Sequence, residues 1–371
     1  MTGSPRLAVI GGGLAGCLLA WRVVRDHPRW QVELFTGRDG TGCATDMSGG
    51  LVRGFETNPV ASALATASLV ELRGDSRLRA WSGYQEIGSA YVCAADQPAG
   101  TVQRLVARMA RQLPGSARIV DVDRLRRAGL AGIPRPAACV LETHSGYFSP
   151  SGLRDGVLDD LGQRGHVRPE PVTRIVPCDG GALRCESPSG THHFDRVVVA
   201  AGRWTAQLLR DSGLDSTGFR TKQIQYGVYR AVGRMPGTFI DDTSGLYGRR
   251  FAHRDEVLLG VPSQRWEPDP DRCAPAEPLQ RRAERLAAER LPELRLGPLL
   301  RIVAGADCYH DPPILALRTS PDELPGLYTF TGGSGGAAKY ALAASTAAAG
   351  QLDGIRVDAS SLAINVTGGA S

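Results

Sequence analysis

Arg6 to Val24 reads RLAVIGGGLAGCLLAWRVV, and this stretch decides the fold class. A short apolar run is followed by Gly11, Gly13 and Gly16 in G-x-G-x-x-G spacing and then by a helical pattern. Strand, glycine turn and helix in that order make a dinucleotide site. Glycines let the backbone approach a diphosphate, and the helix N-terminus offers free N–H groups and positive dipole potential. QVELF after the helix reads as the second strand of a βαβ unit. The acidic residue that normally closes this strand on the ribose is replaced by Thr36, with Glu33 three residues earlier.

A second glycine turn lies near the other end, in LYTFTGGSGGAAKYALAAS, Leu327 to Ser345. There an apolar run precedes Gly332, Gly333, Gly335 and Gly336, then Lys339 and an alanine-rich helical stretch. The two turns imply a nucleotide-binding domain begun by the N-terminus and finished by the C-terminal segment. Between them, TGCATDMSGGLVRGFETNP (41–59) is a polar loop whose length marks it as functional.

The middle reads as mixed α/β. Residues 101–128 are expected to be helical, SPSGLRDGVLDDLGQRG (149–165) is a capped helix, and VTRIVP, ALRCES and THHFDRVVVAAG are three strands. The last of them closes on Ala200-x-Gly202-x-Trp204. Residues 220–265 alternate in β fashion, and 276–295 form an amphipathic helix. The resulting expectation is an α/β protein of mixed α+β type. A Rossmann-type domain (1–80, 145–219 and 318–371) carries the nucleotide, and an interleaved domain on an antiparallel or mixed sheet (81–144 and 220–317) carries the substrate.

Composition narrows the partners. A net charge of +5 without a basic stripe interleaved with aromatics argues against nucleic acid. Eight cysteines with no C-x-x-C pair indicate reduced thiols rather than a zinc ribbon, and point to the cytoplasm. No metal site is expected. LAGC ending at Cys17 imitates a lipoprotein signal, but its glycines fall in the would-be apolar core. No apolar run reaches the ~18 residues that span a bilayer. Of the 43 cationic residues only Lys222 and Lys339 are lysines. Lysine shifts its pKa readily on burial, whereas arginine is a fixed fork, so both lysines are candidates for chemistry.

The chain resembles the glycine oxidase and D-amino-acid oxidase superfamily, closest to the monomeric sarcosine oxidase branch. The motifs run along nearly the whole chain: the first glycine turn, LVRGFE (51–56), SGYFSPSGL (145–153), VVVAAGRWT (197–205), TKQIQYGVY (221–229), DCYHDPP (307–313) and GGSGGAAKY (332–340). The resemblance implies FAD. It assigns Gly11, Gly13, Gly16, Thr36, Ser48, Val172, Gly202, Trp204, Gly333, Gly335, Gly336 and Lys339 to the cofactor shell. In that branch a cysteine in a C-x-Y-T turn carries the flavin through a thioether, and Cys308 is identified with it. Lys339 and Arg53 match the residues that hold the substrate carboxylate, a role that suits one adjustable and one fixed cation. His310, in place of the turn's tyrosine, and Tyr247 are candidate pocket residues.

The implied reaction is oxidation of the C–N bond of a secondary, cyclic or primary amino acid, with oxygen as final acceptor, by a monomer or small homo-oligomer. The branch's oxygen-activating lysine, in a G-x-K-x-G strand, is Leu258 here, with Lys222, Arg249 and Arg250 as candidate substitute cations. A second arginine near Arg53 in the family is Gly49. Two rival readings are an NAD(P)H-dependent flavin monooxygenase and a flavin-binding subunit without its own turnover.

Overall fold

A computed structural model describes residues 4–37, 42–134, 138–269, 271–320 and 324–354. The final seventeen residues of the 318–371 segment therefore lie outside the described residues. The first glycine segment folds as read, with strand Arg6–Ile10, helix Leu14–Asp26 and strand Gln31–Phe35. These strands sit inside a six-stranded sheet in the order Ala316–Thr319, Leu327–Thr331, Arg196–Val199, Arg6–Ile10, Gln31–Phe35, Val167–Arg168. All neighbours are parallel except the antiparallel first pair.

Parallel strands are covered on both faces, and the alternation along Arg6–Ile10 shows it. Leu7 and Val9 join the core under helices Leu14–Asp26, Pro59–Gly74, Pro150–Gly162 and Ala341–Leu352. Ala8 and Ile10 join the opposite core, with Phe35, Val197 and Val199, under a three-stranded sheet. Helix Pro59–Gly74 is capped by Asn58, whose side chain accepts from Val60 N and Ala61 N. Helix Pro150–Gly162 is capped by Ser149, which accepts from Gly152 N.

The second large sheet has eight strands, in the order Leu294–Tyr309, Arg220–Gly233, Glu256–Gly260, Leu246–Arg250, Thr238–Asp241, Ser89–Val92, Cys139–Glu142, Ala117–Val120. Its back face packs Tyr229, Val257 and Leu259 against Ala283 and Ala287 of helix Glu277–Arg290. Its front face carries Ile224, Tyr226, Tyr247 and Leu258, because side chains alternate along a strand.

The mixed α/β reading holds, with local corrections. Residues 101–128 are not one helix: helix Ala99–Gln112 is followed by strand Ala117–Val120 and the short helix Val122–Arg127. The stretch 191–202 is two strands, Gly190–Phe194 and Arg196–Val199, in different sheets. Cys308 does not lie in a turn but in the last residues of strand Leu294–Tyr309, opposite Thr221.

Candidate active site

A cavity of about 580 Å³ runs along the carboxyl ends of the parallel strands. Gly11, Gly12 and Gly13 form one wall with Thr36, Thr45 and Ser48, and Gly332, Gly333 and Gly335 form another with Ala337 and Ala338. Val172, Gly202 and Trp204 complete it. Crevices at this position in α/β sheets take nucleotides.

The walls fit a dinucleotide on their own chemistry. Helix Leu14–Asp26 has no acidic residue in its first turn, and the neutral Thr45 hydroxyl accepts from Leu14 N at 2.9 Å, so its positive end faces the cavity without a counter-charge. A Cβ added at Gly13 would meet only Thr45 Oγ1, at 3.4 Å. The protein's own packing therefore does not demand a glycine there, whereas a close ligand would. Gly11 and Gly16 differ. A Cβ at Gly11 would lie 2.3 Å from the Ala200 carbonyl oxygen, and one at Gly16 would lie 2.1 Å from the Gly11 oxygen. These two glycines seat the helix on the strand, and Gly16 does not reach the cavity. Glu33 is held by Arg6 and Arg168, which leaves Thr36 as the strand-end residue on the cavity wall.

Arg53 and Lys339, almost three hundred residues apart, meet at one atom. Arg53 Nη2 lies 2.7 Å and Lys339 Nζ 3.2 Å from Glu56 Oε1. Both cations are 7% exposed. Burial lowers the Arg53 pKa, but Glu56, Tyr91, Glu142 and Asp242 outweigh it and hold the guanidinium above its usual value. For Lys339, burial and the like charge of Arg53 win over Glu56, and its pKa falls. Lys339 Nζ also donates to the Gly336 carbonyl at 3.0 Å, and neither Gly336 nor Lys339 lines the cavity. The backbone at Arg53 is fixed by buried Glu142, which accepts from Gly54 N at 2.8 Å and Phe55 N at 3.2 Å.

Strand alternation separates Asp307 from Cys308. Asp307 lines the cavity, and burial pushes its carboxyl up to about 6, against the Cys308 N–H and Arg203. Cys308 faces the other way, 3% exposed, in the core with Ala8, Phe219 and Leu327, and burial pushes its thiol up to about 12. Aligning Tyr309 with the tyrosine of C-x-Y-T would put Asp307, not Cys308, at the cysteine's place. A buried neutral thiol is a poor nucleophile. His310 likewise leaves the cavity and packs on Phe219, ring centroids 5.1 Å apart, its pKa lowered first by burial and then by Arg318.

Tyr247 lies on the front face of the eight-stranded sheet, its hydroxyl donating to the Gln225 carbonyl. Lys222 stands over the rings of Trp266 and Tyr309, at 4.8 and 5.7 Å. Leu258 packs against Gly49, and Arg250 turns to the Gly233 carbonyl. Sequence reading missed Glu56, Asp307 and Arg203. Glu56 was signalled by its i+3 spacing from Arg53, and Asp307 by period-two alternation. Arg203 lines the cavity with its Nε unpartnered and its guanidinium over Trp204; its place inside VVVAAGRWT (197–205) was the available signal.

Among the described residues no cluster of His, Cys, Asp or Glu is placed to hold a metal, and no helix is long and apolar enough to cross a membrane.

Comparison with known proteins agrees with this geometry. L-proline dehydrogenase from P. horikoshii superposes with a TM-score of 0.78 at 15% identity, over 95% of this chain and 94% of that one. Glycine oxidase from Geobacillus kaustophilus gives 0.73 at 18% identity, over 95% and 96%. At such identities the likeness is one of fold. Mitochondrial association factor 1 form a1 of Toxoplasma gondii is 26% identical over 148 residues, 37% of this chain; the match spans 32% of that protein's length. The DAO family model, described as FAD dependent oxidoreductase, matches residues 6–350. With a nucleotide crevice between two glycine turns and a family match across nearly its whole length, this chain belongs to the DAO family of FAD-dependent oxidoreductases.

Proposed function

We propose that this chain oxidises the C–N bond of a secondary, cyclic or primary amino acid. One observation carries the reading: two buried cations from distant parts of the chain converge on a single carboxylate oxygen, and Lys339 directly follows Ala337 and Ala338 of the crevice wall. Arg53 and Lys339, which now meet on Glu56, would hold the carboxylate of one substrate molecule by charge-assisted hydrogen bonds. Anchoring that group fixes the neighbouring Cα–H, and positioning of this kind contributes about 7 kcal/mol or more at best. Bound FAD would supply the two-electron acceptor, taking a hydride from the carbon beside a neutral amine. The imine product then hydrolyses or cyclises in water.

Gly11, Gly13, Thr36, Ser48, Val172, Gly202, Trp204, Gly333 and Gly335 are read as the cofactor's contacts, with Gly16 and Gly336 supporting them. The six-stranded sheet and its helices (1–80, 145–219, 318–371) would hold the cofactor, and the eight-stranded sheet (81–144, 220–317) the substrate. Tyr247 on that sheet's front face keeps its pocket role; His310 is less well supported because its ring packs on Phe219 of the opposite core, and Lys222 because its ammonium stands over the Trp266 and Tyr309 rings. The thioether at Cys308 loses support because that residue faces the opposite core too, and we read the flavin as held without a covalent bond. Oxygen is the proposed final acceptor, slowed by Leu258 where relatives carry lysine. Eight free cysteines favour a cytoplasmic protein.

Anaerobic mixing of the holoprotein with a panel of amino and imino acids tests the reaction. Bleaching of the flavin band without NAD(P)H is expected. Bleaching only by NAD(P)H would mean a hydroxylase, and bleaching by neither would mean a subunit without turnover. Acid precipitation of the same preparation should leave the yellow colour in the supernatant.

A further inference from the structure

The front face of the eight-stranded sheet carries a cation that the Arg53–Lys339 pair does not use. Arg249 pairs in register with Leu258, and Tyr247 with Gly260, so Arg249 shares the face of Tyr226 and Tyr247. That face looks toward the crevice, because Ile224 on it lines the crevice and Leu258 packs on Gly49. Arg249 is only 8% exposed. Its guanidinium stands against Tyr147 and Phe251, at 4.0 and 4.1 Å from the ring centroids, with the two rings tilted 60° to each other. Its hydrogen bonds go to main-chain carbonyls alone, Gly49 at 2.7 Å and Arg250 at 3.5 Å. The titratable groups around it are Tyr147, Tyr226 and Arg301. Among the described residues no carboxylate pairs with it.

Taking a cation out of water without a counter-charge is costly, and burial lowers this guanidinium to about 10. Two aromatic faces recover only part of that cost. This uncompensated charge lies on the sheet face that Ile224 turns to the crevice. Arg53 marks the first carboxylate position by standing 5.1 Å over the Tyr91 ring. Tyr91 and Tyr247 are joined through Ile240. Two strand spacings and two residues along the strand put the Tyr91 and Arg249 backbones about 12 Å apart on one face.

We propose that Arg249 receives a second acidic group of the substrate, so that the amino acid oxidised here is a dicarboxylic one. This rests on the reading of Arg53 and Lys339 as the anchor of the first carboxylate. A planar guanidinium whose Nε is fixed on the Gly49 carbonyl offers its terminal nitrogens to a carboxylate in a restricted orientation. Such a residue sets specificity rather than performing the hydride transfer.

The test uses the holoprotein and two acids that cannot be oxidised, acetate and glutarate, with perturbation of the flavin absorption band as the readout. In the parent protein glutarate is expected to bind at least tenfold tighter than acetate. Arg249→Gln should lose that preference while acetate binding changes less than twofold, and Arg249→Lys should restore part of it. A purely structural role would move both acids together. If the parent binds acetate and glutarate equally, Arg249 is not an anion site, and no variant is needed to show it. If neither acid binds, the anchor at Arg53 and Lys339 fails and this proposal falls with it. If Lys339→Met weakens both acids equally while Arg249→Gln weakens glutarate alone, both assignments stand.

Discussion

Asp307 shows how much a single side-chain direction decides. Burial pushes its carboxyl up to about 6, from the usual 3.8 of an aspartate. Between those values the folded state keeps a proton that the unfolded state has released. The stability this proton confers is present below pH 4 and is lost as the pH rises through 6, after which it is flat. The gap of about two units corresponds to about 3 kcal/mol at most. Asp307→Asn stays neutral at every pH, so it should raise the Tm of the flavin-free protein at pH 7 and leave it unchanged at pH 4. Thermal scans at both values check this; an equal shift at the two would show that the carboxyl is not held neutral by burial. Cys308, one residue on, has no such effect on the crevice, because it faces the opposite core.

At the scale of elements, the first glycine turn divides into two kinds of glycine. Gly16 allows helix Leu14–Asp26 to touch the strand, and a methyl there would press on the Gly11 oxygen. Gly16→Ala should therefore lower the stability of the flavin-free protein, by about 1–3 kcal/mol on the scale of overpacked sites. Gly13→Ala meets only Thr45 Oγ1 and should leave the flavin-free Tm within a degree or two while weakening FAD binding. Fluorescence titration with FAD, set beside the melting curves, separates the two effects. The misread helix at 101–128 has an element-scale cause. The apolar spacing Val102, Leu105, Met109 ends with the helix at Gln112, and strand Ala117–Val120 shows no alternation of burial. That strand exists because it pairs with Cys139–Glu142, a partner twenty residues away that no local pattern announces.

Over the whole molecule, Glu142 ties the eight-stranded sheet to the segment between strand Leu51–Val52 and helix Pro59–Gly74. It sits in the last residue of strand Cys139–Glu142, is 3% exposed, and accepts from Gly54 N, Phe55 N and Ser145 Oγ. Removing it orphans buried donors, each worth about 1–3 kcal/mol. Glu142→Ala should lower stability by about 2–5 kcal/mol and raise the substrate KM by shifting Arg53, whereas Glu142→Gln, which keeps an acceptor, should recover part of both. Denaturant midpoints and steady-state kinetics on the two variants check this. A KM unmoved in Glu142→Ala would show that Arg53 is positioned without it.

What the chain determined locally was the nucleotide half: strand, glycine turn and helix lie within twenty residues, and their spacing carries the geometry of the crevice. Arg53 and Lys339 could be picked out by residue type and setting, and the fold does bring them together. The tertiary structure alone decided that Glu56 stands between them, that Asp307 rather than Cys308 faces the crevice, and that Arg249 is buried without a counter-charge. Each of these depends on which face of a strand meets which neighbour. A shift of one residue reverses that face, and only the packed sheets settle it.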